Sequence, residues 1–255
     1  LHYTSLQQSP HPTKPNDNQI QIKPVFEEGY NDKIIYPDRN LHEIFQYIRS
    51  NPYRLAVRIH RPDFFQKSRN INTSIRLTQF QASLLTPTSN QPPQSLQEAP
   101  QSLQEALQSL WEQEKEITTK LQAYGNLFLL NNPFKTYLIV HRADTPEQFE
   151  LKKEECLYTA VNGGVIISAF ISPREKEIRA EIEAVGGSMI IVHATPYEER
   201  EKPSRHYFEL CAEGKIAMVA PFFAKKLKSS DHPSRQHCKI LNKIAEALAK
   251  QPKIK

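Results

Sequence analysis

Cysteine is scarce in this sequence. The 3 present, Cys156, Cys211 and Cys238, never fall into CxxC spacing. That excludes a disulfide framework and a four-cysteine zinc site, and it points to a reducing, cytoplasmic compartment. Long apolar runs are missing too. The longest, Gly164-Val-Ile-Ile-Ser-Ala-Phe-Ile171, is far too short to cross a bilayer, and no membrane partner is expected. The polar, proline-rich N-terminus carries no signal-peptide pattern. Glycine is sparse at 7 residues, and neither GxGxxG nor GxxxxGK[ST] occurs, so the dinucleotide and P-loop fingerprints are absent. There is no His-x-His and no PGGxGT loop. Charge is only mildly one-sided, with 33 basic against 28 acidic residues, a formal charge of +5 and a pI near 9.0. This balance suits a polyanionic partner without requiring one. The 255 residues begin at Leu1 rather than Met, so a fragment of a longer protein is expected.

Composition divides the chain into stretches of different kind. Residues 1–23, rich in Gln, Pro, Asn and Ser, read as disordered or as a linker. Residues 24–82 read as a small α+β fragment. Helix-start signals at Pro37-Asp38-Arg39-Asn40 precede Leu41, Ile44, Phe45 and Ile48 at helical spacing. Asn51-Pro52 should end that helix, and the alternation of Arg54-Leu-Ala-Val-Arg-Ile-His60 predicts a short strand. Residues 83–123 hold a seven-residue repeat, with Leu96, Leu103 and Leu110 in register. Its one apolar position per heptad is too thin for a coiled coil, so a solvated helical insertion over Gln101–Leu121 is expected.

From Tyr124 to the C-terminus the pattern becomes regular. Short apolar runs at Tyr137–Val140, Val165–Ser168, Met189–Val192 and Ile216–Ala220 alternate with helical stretches. Thr145 followed by Pro146 opens the first helix, and Asn162-Gly-Gly164 stops it. Ser172-Pro-Arg-Glu175 is a capping box for the second, which ends at Gly186-Gly187. Strands that are continuous apolar runs predict an α/β domain, residues 124–255, in which helices flank a parallel, Rossmann-like sheet. Ligands of such sheets sit beyond the carboxyl ends of the strands. Two of those edges carry suitable chemistry for an anionic phosphate. One is His141-Arg142-Ala143-Asp144-Thr145 and the other runs from Ser168 to Lys176, so the candidate ligand- or DNA-binding residues are Arg142, Thr145, Ser168, Ser172, Arg174 and Lys176. Thr145 and Ser172 are equally well explained as helix caps.

Two family resemblances stand beside this reading. Residues Tyr137–Pro221 resemble the Rossmann-like domain of the DNA-processing protein A (Smf) family and its nucleotide-sensing relatives. The likeness is carried by Ile-Val-His-Arg142, by Gly164-Val-Ile-Ile-Ser168 before a helix, and by Gly186-Gly187-Ser-Met-Ile-Ile191. It implies a domain that takes single-stranded DNA or a nucleotide. Where the family has a glycine-rich turn, this chain reads Ala169-Phe-Ile-Ser-Pro173. Residues 24–58 resemble the end of a single-tyrosine HUH transposase domain, closest to the bacterial REP-associated tyrosine transposases. Here the carriers are Pro24-Val-Phe-Glu-Glu-Gly-Tyr30-Asn-Asp32 and Tyr47-Ile-Arg-Ser-Asn51-Pro52. The resemblance implies Tyr47 as the nucleophile on a DNA phosphodiester and Asn51 as its assisting residue. It also implies a divalent metal held by a His-x-His motif, which would have to lie upstream of Leu1. No cofactor is expected in this chain by itself, and a homo-oligomer is compatible with everything above.

Other residues carry weaker signals. His232, His237 and Cys238 lack a fourth ligand and read as non-metal. Lys225-Lys226-Leu-Lys228 reads as a solvated surface, and Cys211 as a buried, inert thiol.

Overall fold

Residues 41–85, 112–197, 203–225 and 232–252 are described in a computed structural model of the chain. The linker 1–23, the capping signals at 37–40, the motif at 24–35, the leucine repeat over 94–111 and Lys226–Lys228 lie outside them. The chain forms two compact units, Leu1–Arg49 and Ser50–Lys255.

Helix α1 spans Leu41–His60, and only its first part belongs to the N-terminal unit. The expected stop at Asn51-Pro52 and the expected strand over Arg54–His60 are both replaced by continuing helix. Tertiary contacts override the proline. Arg54 and Arg61 project at helical spacing toward the rest of the unit, where the Arg54 guanidinium lies 4.4 Å from the Phe208 ring centroid and donates to the Pro203 carbonyl at 2.9 Å. Arg61 Nη1 donates to the Ala212 carbonyl at 2.6 Å.

Besides two short 3-10 turns, Pro62–Phe65 and Leu127–Asn131, the described elements that follow are strand β1 (Gln66–Thr78), helix α2 (Gln79–Leu85), β2 (Glu114–Gly125), β3 (Lys135–Tyr137), α3 (Pro146–Val161), β4 (Val165–Ser168), α4 (Pro173–Ala184), β5 (Ser188–Val192), α5 (Arg205–Ala212), β6 (Ile216–Pro221) and α6 (Arg235–Lys250). The strands form one six-stranded sheet in the order β1-β2-β6-β5-β4-β3. The pairs from β3 through β6 are parallel, whereas β2 runs antiparallel to both β6 and β1. This is an α/β architecture with a mostly parallel sheet flanked by helices.

The sequence changes character near Tyr124, but the sheet does not divide there. Glu114–Leu121, expected as the end of a helix, is strand paired with β1 along its length, and Leu121 pairs with Pro221 of β6. The unit built on the sheet therefore begins at Ser50.

Along the parallel strands the chain advances one position at a time in a single direction. Right-handed crossovers then place α3, α4 and α5 on one face. There Phe149, Cys156, Ala160, Ile178, Ile182 and Cys211 pack on Ile166, Met189, Ile191, Ile216 and Met218. Alternate residues of the same strands, Val165, Ile167, Ile190, Val192, Ala217 and Val219, face the other way onto Ile240, Leu241, Ile244 and Leu248 of α6. The sheet bends around α6: Gln251, just past its end, accepts from Thr73 of β1 at 3.4 Å and from Lys135 of β3 at 2.6 Å. These two strands are the opposite edges of the sheet.

The caps read from sequence are formed. Thr145 accepts from the Gln148 N–H while the Gln148 side chain accepts from Thr145, and Ser172 and Glu175 do the same for α4. Replacing Thr145 with alanine should cost about 1 kcal/mol of unfolding free energy, measured by urea denaturation. A change below a few tenths would mean that α3 needs no cap.

Candidate functional site

The β3–α3 and β4–α4 connections meet at the carboxyl ends of their strands. Their meeting point is fixed by a residue that sequence reasoning treated only as a local cap. Glu175 is 4% exposed, and its carboxylate joins the two connections. Oε1 accepts from the Val140 N–H at 3.0 Å, and Oε2 accepts from the N–H groups of Ile171 and Ser172 at 2.8 and 2.9 Å. The backbone donors of Ile171 and Ser172, just before α4, are thus occupied by the protein's own carboxylate.

The neighbouring turn is closed in a similar way. Asp144 Oδ2 accepts from the His141 N–H at 2.8 Å and from Lys152 Nζ at 2.6 Å. Partial burial of Asp144 opposes ionisation, but the Lys152 and His141 hydrogen bonds and the Lys152 charge hold its pKa below the ordinary value.

Beside this junction opens a cleft of about 1360 Å³. From the β3–α3 connection it is lined by His141 and Arg142, from the β4–α4 connection by Ser172 and Arg174, and from α6 by Arg235 and Lys239. Arg174 bridges the first two segments. Its guanidinium sits 5.2 Å from the Phe149 ring centroid and donates to the Asp144 carbonyl at 3.1 Å. Arg142, Arg235 and Lys239 are paired with no described residue. Glu175, the carboxylate in the lining, is spent on backbone N–H groups, so the uncommitted charge of the cleft is positive.

Of the residues singled out in the sequence, Arg142, Ser172 and Arg174 come together here. Thr145, Ser168 and Lys176 do not line the cleft. Thr145 caps α3, and Ser168 is 1% exposed, its Oγ accepting from the Phe170 N–H at 3.1 Å. Lys176 is exposed. Phe170 adopts φ 47°, in the left-handed region that favours glycine, and its side chain is buried. Tyr47 and Asn51 both lie on α1, and Asn51 is exposed. Arg235 and Lys239 were missed because α6 packs on the opposite face of the sheet, and no local pattern ties its first turns to the two connections.

A second polar group lies at the carboxyl end of β5. The His193 ring meets Tyr197 and Tyr207 edge-on, with centroids 5.7 Å apart in both cases. Burial, reinforced by the Arg179 charge, pushes the His193 pKa down to about 4. Arg179 is held by Glu183 at 2.7 Å and donates to the Tyr207 hydroxyl at 2.9 Å.

His237 serves the capping box of α6 with Ser234 and stacks edge-on against Phe223 at 4.6 Å. Among the described residues no three His, Cys, Asp or Glu side chains gather as a metal would require. The Cys211 thiol is fully buried, which raises its pKa to about 12. No helix of the described residues is long and apolar enough to cross a membrane.

Comparison of the chain with known protein families, with curated proteins and with solved structures finds no match.

Proposed function

We propose that this is a cytoplasmic, DNA-associated, transposase-like protein whose Ser50–Lys255 unit is a Rossmann-like domain binding the phosphates of single-stranded DNA or of a nucleotide. One observation carries the reading: Arg142, Arg174, Arg235 and Lys239 converge from three separate segments on one cleft at the carboxyl ends of the parallel strands. Their charges are not cancelled there, and such a constellation attracts polyanions. Because Glu175 fills the backbone donors of the turn, side-chain cations rather than a backbone cradle hold the phosphates. Binding should then be sequence-tolerant and steeply salt-dependent, with Kd of roughly 10⁻⁴–10⁻⁶ M as is usual for non-specific electrostatic association.

Fluorescence anisotropy of a labelled oligothymidylate and of a labelled nucleotide, across a salt series, tests this. Arg142→Ala and Arg235→Ala should each weaken binding and flatten the slope of log affinity against log salt by about 0.7 for the single strand. Lys250→Ala, at the other end of α6, should leave both unchanged. If neither probe binds at low salt, or the arginine variants bind like wild type, the cleft is not a phosphate site.

In the transposase-like reading Tyr47 is the nucleophile and Asn51 assists it, one helical turn on. That chemistry calls for a metal-polarised phosphate, and the described residues do not fit a metal. The sequence also lacks His-x-His. This chain alone is therefore expected to leave single-stranded DNA intact in Mg²⁺ or Mn²⁺, which favours a non-catalytic binding role for it. A covalent protein–DNA adduct on denaturing gels, lost in Tyr47→Phe, would reverse that conclusion.

A further inference from the structure

The sheet has one long edge, β1, and among the described residues no strand pairs with that edge where it meets α6. Residues Asn72, Ser74 and Arg76 lie opposite Lys120, Thr118 and Glu116 of β2. Three contacts show that this set of β1 residues turns its backbone away from β2. Lys243 Nζ reaches the Arg76 carbonyl at 2.7 Å. The Thr78 N–H, in the same alternation, goes to Gln81 Oε1 at 3.3 Å. The Ser74 and Thr118 hydroxyls approach to 3.3 Å, the close side-chain spacing of a pair that does not exchange backbone hydrogen bonds. The N–H and C=O of Asn72 and Ser74, and the N–H of Arg76, therefore face outward in strand geometry. No described group bonds them.

That edge forms one wall of a groove of about 830 Å³. The other wall is α6, which presents Lys243, Ala247 and Lys250 along one side. Ala247 leaves room between the two lysines. Lys243 is engaged by Glu114, and Lys250 by Glu246. Arg76 has no side-chain partner among the described residues, so the uncommitted charge of the groove is positive.

We propose that the groove between β1 and α6 takes an extended peptide of a partner protein, added to the sheet as a further strand, with an acidic side chain of that peptide on Arg76. An open strand edge beside a helix supplies backbone hydrogen bonds for affinity and alternate side-chain positions for selectivity. A second copy of this chain fits less well. Pairing β1 with β1 about Ser74 would set Arg76 against Asn72 and leave its charge unmet. The inward residues of the incoming strand, Ile71, Ile75 and Leu77, would already be buried in their own core.

The test uses the full chain to select from phage-displayed random heptapeptides, with counter-selection on Arg76→Glu. The enriched sequence is then made as a fluorescein-labelled peptide. The expected consensus alternates β-branched residues and carries Asp or Glu. Its affinity should fall at least tenfold for Arg76→Glu, and equally when alternate backbone nitrogens of the peptide are methylated. Ser74→Pro should also abolish binding while the chain still unfolds cooperatively, because the lost N–H faces away from β2 and proline is tolerated at such edge positions. The methylated peptide gives the same information should that variant fail to fold. Failure to enrich any peptide over the counter-selection overturns the proposal, as does binding indifferent to methylation. So does a wild-type dimer in sedimentation that Ser74→Pro converts to monomer, which would assign the edge to a second copy.

Discussion

Replacing Glu175 with alanine is expected to lower the unfolding free energy by about 3 kcal/mol or more, a loss large enough to threaten a domain of ordinary stability. The carboxylate is almost fully buried and satisfies three backbone donors, on Val140, Ile171 and Ser172. Hydrogen bonds to a charged acceptor contribute about 1.5–3 kcal/mol each, and stranded donors add their own desolvation cost, although neighbouring losses do not add in full. Urea denaturation of Glu175→Ala and Glu175→Gln measures it, and glutamine should fall between alanine and wild type. The substitution also uncovers the amides at the edge of the cationic cleft. Phosphate ion should therefore raise the melting temperature of Glu175→Ala more than that of wild type. A loss below 1 kcal/mol would mean that the two connections are held together by other contacts. An equal phosphate response in both proteins would mean that the amides do not face the cleft.

What could be read from the sequence, and what could not, follows the range of the interactions. Helices α3 and α4 were legible because their starts are written locally, in Thr145-Pro146 and in Ser172-Pro-Arg-Glu175, and the glycine pairs mark their ends. Strands β4, β5 and β6 were legible because both faces are buried, so each is an unbroken apolar run. Strand β2 was hidden. Its first half, Glu114–Lys120, is mostly polar because one side of the β1–β2 pair faces solvent, and it follows a leucine repeat that suggests helix. Pro52 misled in the opposite direction, since the contacts of Arg54 and Arg61 that sustain the helix lie far off in sequence. The cleft was half visible for the same reason. Arg142 and Arg174 stand at strand ends, where a rule points to them. Arg235 and Lys239 reach the cleft only because α6 crosses the opposite face of the sheet.

Acid should destabilise this unit through His193 more than through an ordinary surface histidine. The ring lies between Tyr197 and Tyr207, and the nearby Arg179 cation remains charged at every relevant pH. Its pKa falls from 6.5 to about 4 on folding, so the folded state binds fewer protons than the unfolded chain between those values. The stabilisation is fully present above pH 6.5 and is lost as pH falls toward 4, by at most about 3 kcal/mol. His193→Phe isolates this contribution, because it keeps an aromatic ring against both tyrosines and removes the titrating nitrogens. Every other ionisable group is common to the two proteins, so their contributions cancel to first order when the two are compared at one pH. The expected result is a difference in unfolding free energy, variant minus wild type, that is small at pH 7.5 and grows steadily in the variant's favour down to pH 4.5. Urea denaturation at half-unit pH steps measures it directly. A difference that stays flat across that range would show that His193 binds its proton in the fold as readily as in the unfolded chain, so that neither burial nor Arg179 shifts it.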